Sequence, residues 1–183
     1  ELVVGNGVLS WTFYALLGAI VLLERLRPVR PQQPLVSTAF VHDALWFVAG
    51  ACFIGAAMPS VWNVLRYGYD HSLWFLRVES IDRLPVALQI AFVILLTDLV
   101  RWFHHWVRHR VTLFWHFHAV HHSQRELNAF TDLRVHPVER IIEVAVSALP
   151  FFALKPSVAL PAVAAWGTFG IWYARFYHAN IRT

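Results

Sequence analysis

The feature that most constrains this chain is the gathering of its apolar residues into long uncharged blocks. Residues 2–23 carry no charge and end at Glu24-Arg25-Leu26-Arg27-Pro28. A second block covers 39–65, with His42 and Asp43 near its start and Pro59 late. A third covers 84–103, uncharged until Asp98 and Arg101. Two more, 144–154 and 157–177, are parted by Lys155-Pro156. A helix rises 1.5 Å per residue, so about 20 apolar residues cross the hydrocarbon layer. The 144–154 block is short, and a crossing there needs at least 141–143 added; it is either a crossing or one arm of a re-entrant hairpin. Apolar residues are 58% of the chain and charged residues 14%, against roughly 45–50% and about 25% in soluble domains. The expectation is an all-α, polytopic membrane helical bundle with about four to five membrane segments.

The charges between the blocks give an orientation. Loop 24–38 holds three arginines against one acid, whereas in 66–83 three arginines meet three acids. Stretch 101–140 has six arginines and three acids, and the tail adds Arg175 and Arg182. Alternate crossings put the three basic regions on one side, which the positive-inside rule makes cytoplasmic. The net charge of +4 is thereby read as topology, and no basic run with stacking residues points to nucleic acid. Cys52 is the lone cysteine, which excludes an internal disulfide and a thiolate metal cluster.

Eight of the eleven histidines fall between His104 and His136. His105 and His109 are four apart, so a helix stacks them on one face; His118, His121 and His122, related by three and four, group the same way. A lone histidine at a membrane edge means little. Five neutral imidazoles converging have one common use, which is to hold metal. His104 and His116 lie off the shared faces, and His42 and His71 lie far off in sequence. The residues between His105 and His109 include no glutamate, so a His-Glu-x-x-His zinc protease is not supported. No credible serine or cysteine nucleophile stands beside the boxes. Imidazole suits several metals alike, but the ligands outnumber what one tetrahedral ion takes, which favours two.

The run Asp98…His105-x-x-x-His109…Trp115-x-Phe117-His118-x-x-His121-His122-Ser123 resembles the fatty acid hydroxylase/sterol desaturase superfamily. So do Leu127-Asn128…Arg134-x-His136-Pro137-x-Glu139 and the ending Phe176-Tyr177-His178-Ala179-Asn180. The resemblance covers about residues 90–183. It implies a cytosol-facing centre of two iron ions, with zinc possible in a purified sample. It also implies O₂-dependent hydroxylation or desaturation of a sterol, fatty acyl or related lipid. Through it His105, His109, His118, His121, His122 and His178 match ligand positions, with His136 and Asp98 in support.

The family carries another His-x-x-His-His box downstream of His178, so a piece of a longer protein is expected. The domain reading is a single membrane domain over 1–183, with membrane helices in 1–83 and the histidine boxes in 84–183. No flavin, haem or iron–sulfur motif is present, which implies a separate electron-donating reductase. Two rivals stand beside the lipid oxygenase: a silent membrane subunit of a larger assembly and a zinc-dependent membrane hydrolase. His136 has two readings, as a ligand or ligand-holder folded back over the metals, or as the residue that starts the helix at Pro137.

Overall fold

The computed structural model describes residues 11–154 and 156–182. Among these the secondary structure is helical, with one isolated bridge between Pro28 and Ile181. Six α-helices follow in order: α1 (Trp11–Leu26), α2 (Thr38–Gly68), α3 (Val86–Arg110), α4 (Thr112–His122), α5 (Pro137–Ala148) and α6 (Pro156–Tyr177).

Two spans are long and apolar enough to cross a membrane: Thr38–Leu76, which extends α2 through irregular turns, and α3 itself. Only 6% and 17% of their most apolar windows are buried against the rest of the chain. Faces this apolar and this uncovered need a lipid solvent, since water would penalise them at roughly 25 cal/mol per Å². A third crossing exists if α5 and the start of α6 count as one bent element; they meet at 119°. The chain runs out to Phe151 and Leu154 at one end and back along α6 to His178 beside His121, which is the course of a hairpin. The described residues thus give two or three candidate crossings where the sequence suggested four to five. The described part of α1 has 16 residues, short of the required 20 or so. The rest of block 2–23 lies outside the described residues.

The two long helices define two ends. Ser37 caps the start of α2 by accepting from the Phe40 amide at 3.1 Å, supplying one of the acceptors that a helix's first turn lacks. Helix α2 runs from there to a far end, where Tyr69 stacks on Phe152 and donates to its carbonyl at 3.3 Å. Helix α3 returns. Ile81, Val93, Phe151, Leu154 and Val158 form a core at the far end. Ile20, Ala129, Ala179 and Ile181 form another at the end where α3 finishes. With 25 residues, α3 is about 38 Å long, some 8 Å more than the hydrocarbon layer. That excess is enough for its histidine-bearing last turns to clear the hydrocarbon, and Trp102, Trp106 and Trp115 are exposed near them, as interfacial tryptophans are.

Candidate metal centre

Val111 builds the centre. Its extended backbone (φ −103°, ψ 116°) ends α3 and starts α4 in one residue, and α4 folds back over the last turns of α3. The ring contacts show the hairpin: His109 packs on Trp115 at 5.5 Å, and His105, further from the hinge, meets His118 at 4.8 Å. Each helix presents its histidines one turn apart. The result is a four-histidine cluster of His105, His109, His118 and His122, with one ring nitrogen from each lying within 4.8 Å of all the others. The Nε2 atoms of His105 and His109 are 3.1 Å apart, and so are those of His118 and His122. Two nitrogens each bound at about 2.0–2.1 Å to one ion, at 90–109°, lie roughly 2.9–3.4 Å apart. Within each pair the spacing fits a shared ion. His118 is buried, whereas His105, His109 and His122 are exposed, so the cluster opens to one side.

A buried network fixes His118. Its Nδ1 donates to Glu139 Oε1 at 2.6 Å, which leaves Nε2 as a bare acceptor aimed into the cluster. Glu139 also accepts from Arg108 at 2.5 Å, and Arg108 donates to His104 Nδ1 at 2.8 Å. His104, off the metal face, thus anchors the arginine that anchors the carboxylate. Residues 101, 104 and 108 form a second face of α3, about 100° round from the metal face. Glu139 and Glu143, one turn apart on α5, meet it, with Arg101 donating to Glu143 at 2.9 Å. Sequence reasoning quoted Glu139 within a motif but gave it no task. Its spacing of four from Glu143, opposite Arg101 and Arg108, was the available signal.

His121 and His178 form a separate pair, brought together from 57 residues apart with Nε2 atoms 3.1 Å from each other. His121 Nδ1 donates to the Arg134 carbonyl at 3.3 Å, and His178 Nδ1 donates to the Ala174 carbonyl at 2.8 Å. Asp132 Oδ1 lies 3.5 Å from the same His178 nitrogen. With both protons held at Nδ1, the facing Nε2 atoms are two lone pairs in contact. Burial, and then the neighbouring His178, His122 and His118, push the pKa of His121 down to about 3, so protonation of His121 does not relieve that contact at neutral pH. A cation does. The donor set therefore fits metal at the four-histidine cluster, and donor set and tautomers together fit it at the pair.

The remaining residues singled out from sequence sit as follows. His136 caps α5, its Nδ1 accepting from the Val138 amide at 3.2 Å while its ring packs on Phe117. Asp98 is exposed two turns before His105, near enough to Tyr177 to act on its hydroxyl electrostatically. His42 and His116 are exposed, and His71 lies at the far end, bonded to the Tyr67 carbonyl.

Apolar helices long enough to span, ending in a convergent set of histidines, describe a membrane protein with a polyhistidine cluster that could hold metal. The fatty acid hydroxylase family model matches residues 90–183, just over half of the chain and all six of the clustered histidines. The chain belongs to the fatty acid hydroxylase family. No curated protein and no solved structure matches it.

Proposed function

We propose that this chain carries the metal centre of a membrane-bound, O₂-dependent lipid oxidase that hydroxylates or desaturates an unactivated C–H bond. The observation behind the reading is the convergence of ring nitrogens, four in the histidine cluster and two more between His121 and His178, whose Nδ1 protons are held by main-chain carbonyls. The family match supports the reaction class, an oxidoreductase acting on lipid.

Two metal positions follow, one held by His105, His109, His118 and His122 and a second begun by His121 and His178. Iron in these positions supplies the activation of O₂ that oxidation of an alkyl C–H bond requires. The chain's own part is orientation. Glu139 and Arg108 hold His118 in one tautomer, and the Arg134 and Ala174 carbonyls do so for His121 and His178. Trp115, stacked on His122 at 5.7 Å, shields part of the cluster from water. A lipid substrate reaches the centre laterally, from hydrocarbon in contact with the uncovered faces of α2 and α3. The arginine asymmetry supports a cytoplasmic centre, to which a separate reductase would deliver electrons.

The test is elemental analysis of the purified full-length protein, followed by incubation of membrane lipid with ¹⁸O₂ and a reductant. The reading expects about two irons per chain and an oxidised lipid, labelled when the reaction is hydroxylation. Zinc alone with hydrolysed lipid assigns the chain to hydrolysis instead. A folded protein without metal makes it a silent subunit.

A further inference from the structure

Asp43 is a carboxylate two turns into a candidate membrane span, with no exposed surface at all. A charge in that position costs several kcal/mol unless hydrogen bonds replace its water. Four side chains do so. Gln124 Nε2 and Arg134 NH1 donate to Oδ1 at 3.0 and 3.2 Å, and Asn128 Nδ2 and Thr131 Oγ1 donate to Oδ2 at 2.8 and 3.0 Å. All four belong to one loop, 124–134, which joins the second histidine box to α5. The loop has little regular structure of its own: a turn in which the Phe130 amide bonds Asn128 Oδ1, and the short helical turn Thr131–Leu133.

That loop is what the His121–His178 pair leans on. The Arg134 carbonyl accepts the His121 Nδ1 proton, and Arg134 Nε donates back to the Val120 carbonyl at 3.1 Å. Asp132 faces His178 Nδ1, and Ala129 packs in the small core with Ala179. The four-histidine cluster has no such dependence, since its buried member is held by Glu139 on α5. We propose that Asp43 is a positioning residue for the second metal position: by gathering the 124–134 loop onto α2, it fixes the Arg134 carbonyl against His121. Asp43 lies outside the segment the family model matches. This inference rests on the metal reading of the preceding section.

The experiment compares full-length wild type, Asp43→Ala, Arg134→Lys and a far-end control, Arg77→Ala. The control removes the ion pair with Asp82 and a bond to the Ala153 carbonyl. Metal per chain and chelator competition are read alongside thermal stability, and ¹⁵N-histidine NMR of metal-free protein reports the His121 tautomer. Arg134→Lys keeps the charge but cannot span Asp43 and the Val120 carbonyl, so it tests the same link if Asp43→Ala does not fold. Either variant should bind one ion as wild type does and the other about 10–100-fold more weakly. His121 should lose its fixed Nδ1–H tautomer. Arg77→Ala should lose stability and keep both ions. The proposal is overturned if the loop variants keep both ions at full affinity, or lose both together in folded protein. Wild type without metal fails the reading beneath it, which is a separate and visible result.

Discussion

The four-histidine cluster and the His121–His178 pair use the same side chain in the same geometry, yet they are built differently. The cluster is local. Its members sit at i and i+4 on two helices joined by one residue, so the hairpin at Val111 suffices to assemble it. The pair draws one histidine from α4 and the other from just past α6, and holds their tautomers with main-chain carbonyls. A position built from adjacent helices tolerates change elsewhere in the fold. One built across a loop inherits every weakness of that loop.

The contrast can be broken most forcefully at His118. His118→Ala removes the buried ligand and leaves Glu139 without one of its two partners. It should empty the cluster and cost about 1–3 kcal/mol of stability, read as metal content and a lowered melting temperature. Retention of both ions would show that His118 is not a ligand.

Glu139→Gln acts one step further out. The amide can still accept from one neighbour, but it no longer enforces the Nδ1–H tautomer of His118 with a charge. Metal affinity of the cluster should fall about 10–100-fold, measured by chelator competition, while the pair is unaffected. An unchanged cluster would mean that the carboxylate serves only to join α5 to α3.

A smaller effect concerns pH. His121 has a folded pKa of about 3 against an ordinary 6.5. Its neutral burial therefore contributes fully above 6.5, and the contribution falls as pH drops from 6.5 towards 3. The slope is at most about 1.4 kcal/mol per pH unit. Chemical denaturation of metal-free wild type between pH 7 and 5 should show this loss, and His121→Ala should show less of it. Equal slopes would place the titrating group elsewhere.

Least of all should follow from His71→Ala. The residue is exposed at the far end of α2, stacked on Tyr67, and metal content should not change. Labelling of Ser123→Cys and Asp70→Cys, in a Cys52→Ser background, checks the two ends directly. Opposite sides are expected, with Ser123 cytoplasmic.

The sequence carried the local half of this architecture well. Block 39–65 lies within α2, and block 84–103 overlaps α3, which starts two residues later and continues seven residues further. Apolarity marks the hydrocarbon slab, whereas the helix persists for as long as its amides stay bonded, into the charged interface. The i, i+4 offsets likewise put His105 with His109 and His118 with His122, whereas His121, which spacing grouped with the last two, pairs with His178 instead. What pattern could not show is long-range: that Asp43 meets a loop more than 80 residues away, or that Glu139 holds His118. Buried carboxylates look in sequence like any others, because their partners are set by tertiary packing. His178 became visible through family resemblance alone, since a single histidine after an apolar helix has no periodic signal.

The most direct test of two unlike metal positions is iron per chain in full-length wild type and in His121→Ala, purified in parallel and measured with protein mass. The account predicts about two ions in wild type and about one in the variant, the survivor resisting chelation as the tighter wild-type ion does. A variant that keeps both ions, or a wild type that holds one, would contradict it.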